Sequence, residues 1–549
     1  MANKVEEIKK EKDGLDVWPD LLRYSKTGFA TITPEDMSRF RWYGIYEQQP
    51  RDGYFMLRVK IPGGDISSAQ WRALGEIARD HGRGIADITT RQNVQFHWLT
   101  IETIPTVIAK MNSVGLTTVG ACGDITRNVA GCPVAGIDPH EMYDCRQIID
   151  DVTRYFLGNK EFSDLPRKYK MTIAGCGHQC HQPQINDLGL VAVRRPIDGK
   201  PGEFEVGFHV FVGGGLSTQP HLAKQLDVFV KPEQVIDVCR AVTEIFRDYG
   251  YRERRNRARL KFLVQDWGAE KFLEVFIQKL GWTPDPAVPQ VELPNAWAAH
   301  SDHVGVHCQK QHGLHWIGAA VLTGRLTAEK MLAAADVADR YCDGVLRTTN
   351  QQNLLFPNIA EDDLEEAKTA LKAAGFLWDV STYRRASIAC TGTEFCNLAI
   401  TETKHRLTEI VEHLESALPI DENIRINVNG CPNACGQHYT GDIGLQGCLA
   451  RVNGTQVEAY DICLGGRLGI NAKFTRPISR KVPATKIKYA LENLVRAYQE
   501  ERTDEENFGL YVDRHTDEEL GYRLGLHLLA EDDPTFVPPP PRHAPAGVD

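Results

Sequence analysis

No run of 18 or more apolar residues occurs in the 549-residue chain, so no segment has the length of a membrane-spanning helix. The opening stretch, MANKVEEIKKEKDGLDVW, is densely charged and lacks the apolar core of a secretory signal, which points to the cytoplasm. A basic excess is missing too. The formal net charge is −10, which argues against general nucleic-acid binding. No flavin or nicotinamide fingerprint is apparent, because GGGLS at 213–217 lacks the G-x-G-x-x-G pattern and its context. Composition is otherwise that of an ordinary globular protein, with 42% hydrophobic and 25% charged residues, and the length implies two to four domains. Fourteen cysteines in a cytoplasmic chain of this size suggest metal ligands or buried thiols, not a disulfide scaffold.

Four of those cysteines fall into two close pairs. Cys390 and Cys396 are spaced C-x5-C, Cys431 and Cys435 C-x3-C, and 34 residues lie between the pairs, with a helical pattern filling most of the gap. Thiolates are soft ligands suited to iron–sulfur clusters or zinc, and a cubane cluster requires four. Zinc pairs are usually spaced C-x2-C to C-x4-C, so the spacing leans toward a cluster, with zinc and unrelated buried thiols as alternatives. Pro432 directly after Cys431 fits a helix start, which would aim N–H groups at an anionic cluster.

The chain repeats itself. Residues 171–190, MTIAGCGHQCHQPQINDLGL, resemble 426–445, INVNGCPNACGQHYTGDIGL, pairing Cys176 with Cys431, Cys180 with Cys435 and Asp187 with Asp442. Three further matches follow the same order: 89–92 with 348–351, 121–128 with 389–396, and 210–217 with 462–469. The third of these four segments pairs Cys122 with Cys390 and Asn128 with Cys396. The chain is therefore read as a duplication of a unit of roughly 250 residues, far longer than a solenoid repeat.

Each half opens with a strand–helix–strand pattern. In the first, Tyr54–Ile61 alternates, Ser67 or Ser68 can cap a helix with Trp71, Leu74, Ile77 and Ala78 on one face, and a second strand runs through ITTRQNVQFHWL. In the second, Val304–Cys308, a helix from Thr327 to about Ala338 and a break at Gly344 repeat the order. Such alternation indicates an α/β or α+β protein. PDPAVPQVELP at 284–294 reads as a linker, and DDPTFVPPPPRHAPAGVD as an extended tail.

The halves are not equivalent. The second keeps all four cysteines, whereas the first replaces one with Asn128 and gains cations: Arg91, Arg127, and Lys168 and Lys170 on either side of Tyr169. Converging cations beside a metal site bind a multiply charged anion. Arg91 in TTRQNVQFH, Arg127 in GDITRNV, LPRKYK, CTGTEFCNLAITETK and NGCPNACGQ together resemble the sirohaem–[4Fe–4S] nitrite and sulfite reductases over roughly residues 40 to 525.

That resemblance implies an α+β fold with ferredoxin-like halves at 48–115 and 301–375. It also implies two larger sirohaem and cluster domains at 116–283 and 376–530, an N-terminal extension at 1–47, a linker at 284–300 and a tail at 531–549. Cys390, Cys396, Cys431 and Cys435 would ligate the cluster, Cys435 also bridging to the sirohaem iron. Arg91, Arg127, Lys168 and Lys170 would line the substrate face, and Gly213, Gly214, Gly465 and Gly466 are candidates for backbone N–H contacts with sirohaem carboxylates. The reaction implied is a six-electron reduction of sulfite or nitrite with electrons from ferredoxin. Lys170 favours sulfite, because nitrite reductases of the family read Lys-x-Asn there. The CTGTEFC wording leans toward nitrite. Basic runs at 251–262 and 473–488 are candidate docking sites for an acidic ferredoxin. Cys122, Cys176 and Cys180 keep three cluster positions in the first half, and with Asn128 in the fourth they read as a vestige of duplication.

Overall fold

The computed structural model describes residues 3–197, 199–289 and 302–531. The later part of the expected linker and the proline-rich tail fall outside these residues. The chain forms two compact units. Leu216–Pro220, Ala320–Gly324 and the chain from Asp379 onward make up one, and the remainder makes up the other. No helix among the described residues is long and apolar enough to cross a membrane.

Four five-stranded sheets carry the duplication. Two are antiparallel throughout and lie in the first unit. The first orders its strands Ile45–Glu47, Tyr54–Val59, Val94–Thr100, Ile85–Ile88 and Arg325–Thr327; the second, Gly305–Cys308, Leu314–Ala319, Leu354–Ala360, Val345–Thr348 and Asp65–Ser67. Each sheet thus takes its last strand from the opposite half. Pairing such as Leu326 with Ala86 and Ile66 with Leu346 removes two exposed sheet edges and joins the halves into one body.

Each exchanged strand leads straight into a helix. Ser67 caps Ser68–His81 through a capping box with Gln70, and Thr327 caps Ala328–Tyr341. Trp71, Leu74, Ile77 and Ala78 are buried, as their spacing requires. The two helices pack closely at Gly75, where a Cβ would sit 3.1 Å from Leu332. Asp87, almost fully buried, holds Arg325 of the incoming strand through two bonds of 2.9 and 3.1 Å.

The stretch ITTRQNVQFHWL is not one strand. Ile85–Ile88 and Val94–Thr100 are antiparallel neighbours joined by a tight turn at 89–93. Thr89 Oγ1 accepts from the N–H groups of Arg91 and Asn93, and Gln92 adopts φ +59°. A local hydroxyl-to-backbone turn outweighs the apolar alternation. Thr349, Gln351, Asn353 and Gln352 (φ +64°) build the same turn in the other half.

The other two sheets share one topology. Ala130–Gly131, Met171–Ala174 and Leu188–Pro196 run parallel, and Phe204–Val212 and Lys224–Val230 then add antiparallel. Ile388–Ala389, Ile426–Asn429, Ile443–Val452, Thr455–Leu464 and Arg476–Pro483 repeat this order and sense. Helices Arg146–Phe156, Val235–Tyr249 and Leu260–Leu280 bury apolar faces on the former sheet, and Lys404–Ala417 and Ile487–Glu501 on the latter.

Arg325→Met would leave the Asp87 carboxylate buried without its strongest partner, a loss of about 3 kcal/mol or more. Arg72→Met would remove only half-exposed pairs to Asp336 and Asp339, worth about 1 kcal/mol or less. Thermal unfolding midpoints should fall clearly further for Arg325→Met, and equal shifts would contradict this account of how the halves are joined.

Candidate active site

Cys390 directly follows the strand Ile388–Ala389, and Cys431 comes two residues after Ile426–Asn429. These strands are parallel neighbours, so both cysteine loops leave the sheet at its carboxyl edge, where parallel sheets bind ligands. Gly430 N–H donates to Cys390 Sγ at 3.2 Å, Leu398 N–H to Cys396 Sγ at 3.4 Å, and the Asn433 amide to Cys431 Sγ at 3.5 Å. Gly392 allows the loops to close: a Cβ there would lie 2.6 Å from Thr403 Oγ1.

Pro432 does not begin a helix. Residues 431–436 form successive turns, with Ala434 at φ +57°, and individual N–H groups stabilise the sulfurs where a helix end was expected.

Burial pushes the Cys390 thiol up to about 12 and raises Cys396 and Cys431, and the neighbouring Cys435 acts in the same direction on all three. The four sulfurs therefore form one group, yet no three of them lie within 4.8 Å of one another. That spread does not fit one tetrahedral ion. Cys435 is the exposed member.

The cations assemble in the first unit. Arg91 stands on the turn at 89–93, where its guanidinium donates to Asn186 Oδ1 at 2.6 Å and to the carbonyls of Asn128 and Met171 at 2.6 and 3.0 Å. Arg127 N–H donates to Tyr169 O, which places Arg127 next to the Lys168–Lys170 segment. The Arg127 guanidinium donates to the carbonyls of Gly123 and Ala121, so it contributes fixed positive charge.

Four further cations join them: Arg58 and Lys60, which the sequence did not single out, and Arg259 and Lys261 from the basic run read as a docking site. Lys60 follows an alternating strand out of phase with its apolar residues, which reads as a solvent position, yet it is 2% exposed. Burial, with Arg127 and Arg91 nearby, lowers its pKa to about 8. Burial also lowers Lys170 well below the usual lysine range, with Arg91, Lys168 and Arg259 adding to it, and brings Arg91 to about 9. Neither Lys60 nor Lys170 has an ion pair among the described residues. Lys60 is buried and Lys170 half-buried, each beside other cations, an arrangement that is costly unless an anion comes to them.

The duplicated acids explain this arrangement. Asp442 accepts from Arg425 N–H and also pairs bidentately with the Arg425 side chain. Asp187 likewise accepts from Lys170 N–H, but its carboxylate is taken by Arg259 at 2.8 and 3.1 Å. The Lys170 ammonium is left without the acid that its counterpart uses.

The glycines serve a different end from the expected one. The N–H groups of Gly213, Gly465 and Gly466 donate to the carbonyls of Asp187, Asp442 and Gly441, which leaves Gly214 as the remaining candidate of the four. Gly213 and Gly465 adopt φ +79°, and a Cβ on either would strike Val264 or Val512.

The basic runs are largely paired internally. Arg252 meets Glu6, Arg255 meets Asp124, Arg257 meets Asp266, Lys473 meets Asp513, and Lys488 meets Glu409. Arg259 and Lys261 turn inward, whereas Arg254, Arg480 and Lys481 are exposed.

The first-half cysteines pair differently from the sequence match. Cys122 accepts from Arg58 Nη1 at 3.3 Å and stands apart. Ala130–Gly131 occupies the place of Ile388–Ala389, so Cys132 corresponds to Cys390 and Asp138 to Cys396, each 258 positions apart. The short strands carry too little sequence pattern to show this register.

Known proteins agree with this organisation. The nitrite and sulphite reductase 4Fe-4S domain matches residues 122–284 and 382–524, and the nitrite/sulfite reductase ferredoxin-like half domain matches 46–114 and 307–374. The assimilatory ferredoxin-dependent nitrite reductase of Haloferax mediterranei is 36% identical over 93% of this chain and 92% of its own. The sulfite reductase [ferredoxin] of Mycobacterium tuberculosis is 37% identical over 94% and 96%. The solved structure of Mycobacterium tuberculosis NirA superposes with a TM-score of 0.88 at 37% identity, covering 94% of this chain and 97% of that one. The chain belongs to the nitrite and sulfite reductase family of oxidoreductases, whose members carry sirohaem and a [4Fe–4S] cluster.

Proposed function

We propose that the chain reduces sulfite to sulfide, in preference to nitrite to ammonia, with six electrons delivered by ferredoxin. The observation that carries sulfite over nitrite is the Lys170 ammonium, left without a carboxylate because Arg259 occupies Asp187. A second ammonium beside Lys168 suits a dianion better than a monoanion. Nitrite reduction is the second reading, favoured by the CTGTEFC wording and by the similarity to the Haloferax mediterranei nitrite reductase.

Cys390, Cys396, Cys431 and Cys435 would hold the cluster, and the exposed Cys435 is our choice for the thiolate shared with the sirohaem iron. When bound, the coupled cofactors supply the electrons one at a time. The protein's own part is electrostatic. Arg91 and Arg127 offset the charge of the anion and of the sirohaem carboxylates, while Lys168 and Lys170 bind the substrate oxygens and donate protons to the departing one. Lys60, Arg259 and Lys261 extend the positive surface. In the same reading 48–115 and 301–375 are the ferredoxin-like halves, and 116–283 and 376–530 the cofactor-binding domains.

Steady-state kinetics with a reduced dye should give a higher kcat/KM for sulfite than for nitrite. Lys170→Asn should lower the sulfite value about tenfold or more, equivalent to about 1.4 kcal/mol, and the nitrite value less. A strong preference of the native enzyme for nitrite, with Lys170→Asn nearly silent, would falsify the assignment.

Anion binding should take up protons. An anion stabilises the ammonium form and raises the lysine pKa, so at pH 8 to 9 Lys60 takes up a proton on binding, and at pH 6 Lys60 takes up none because it is already charged. Calorimetry with nitrite, whose charge is constant over this range, in two buffers of different ionisation heat measures the uptake. Lys60→Met should reduce it, and equal heats in both buffers at pH 8.5 would contradict the reading.

Docking is assigned to the exposed Arg480 and Lys481. Reversing both to glutamate should raise the KM for ferredoxin several-fold and flatten its salt dependence, with dye-driven turnover unchanged. Unaltered ferredoxin kinetics would move the docking site elsewhere.

A further inference from the structure

Three thiols converge in the first unit, independently of the four already described. The sulfurs of Cys132, Cys176 and Cys180 all lie within 4.8 Å of one another, and Cys132 and Cys180 approach to 3.5 Å. All three are less than a tenth exposed, in an apolar setting of Val134, Ala135, Ile137, Trp316 and Leu355. Parallel pairing of Ala130–Gly131 with Met171–Ala174 brings Cys132 and Cys176 to the same carboxyl edge.

We propose that Cys132, Cys176 and Cys180 bind one zinc ion through their three thiolates. Spacing separates this from a second cluster. Zinc–sulfur bonds of about 2.3 Å in a tetrahedron hold sulfurs about 3.8 Å apart, which matches this triangle, whereas the second-half thiols are spread too widely for one ion. The fourth position argues against a second cubane: Asp138 occupies the place of Cys396, and its carboxylate lies outside the sulfur triangle, accepting from His140 N–H at 2.8 Å.

The surroundings supply countercharge and rigidity. Arg347, 3% exposed, donates to the carbonyls of Pro133 and Ala135 at 3.1 and 2.7 Å, and Gln311 donates to Gly136 O at 2.8 Å. Both come from the second ferredoxin-like half and grip the loop between Cys132 and Asp138. A zinc ion there would tie that loop to the Cys176–Cys180 turn, releasing thiol protons on binding and exchanging no electrons.

The test is the metal content of the purified, desalted holoenzyme. One zinc and about five irons per chain are expected, with zinc-edge X-ray absorption showing about three sulfurs at ~2.3 Å. Cys132→Ala and Cys180→Ser should each lose the zinc while retaining iron and the visible spectrum, and Cys122→Ser should keep it. About nine irons per chain, zinc below a tenth of an equivalent, a zinc shell without sulfur, or zinc that survives both substitutions would each overturn the proposal. The native protein decides the first three, so a variant that fails to fold does not protect the idea.

Discussion

Two segments that leave a sheet side by side in the same direction bring ligands from distant parts of a chain together. Here the parallel pairing of a two-residue strand with its neighbour provides that meeting point twice: Ile388–Ala389 with Ile426–Asn429, and Ala130–Gly131 with Met171–Ala174. The backbone hydrogen bonds hold the loop origins in place, while glycines such as Gly392 let the loops approach. From one geometry the halves have taken different chemistry. The second spreads four thiols too widely for one ion, and the first draws three into a compact triangle.

A single redirected ion pair accounts for much of the remaining difference. Asp442 neutralises Arg425, whereas Asp187, in the equivalent place, is taken by Arg259 from a distant helix start. The cations thereby crowd into a region whose acid is already engaged, and their pKa values fall through burial and repulsion. Such a cluster is strained until an anion enters, a preorganised charge distribution of the kind that favours anion binding and catalysis.

The ferredoxin-like body shows how the duplication became one molecule. Neither half completes its own sheet, because Asp65–Ser67 and Arg325–Thr327 each close the other's edge. Exchange of this kind makes the two copies obligatory for each other. They were therefore free to diverge in ligands without separating.

The duplication, the alternating pattern of each half and the four cysteines of the second were legible in the residues, because each rests on local spacing or on self-similarity. Arg91, Arg127, Lys168 and Lys170 were singled out through their motifs, and they stand near one another in the first unit. Short-range chemistry that contradicts an apolar pattern was misread: the hydroxyl-bonded turn at Thr89 looked like a continuous strand, and Ala434 halts the helix expected after Pro432. Only tertiary structure brought Lys60, Arg259 and Lys261 to the cation group, since their burial depends on contacts that sequence spacing does not encode. It also replaced Cys122 by Cys132 and Asn128 by Asp138, because strand register at a two-residue edge is set by backbone hydrogen bonds. Residue motifs and spacing were enough to place the chain in its family of oxidoreductases. The fold decided which residues come together, because convergence in space is set by pairing register and burial.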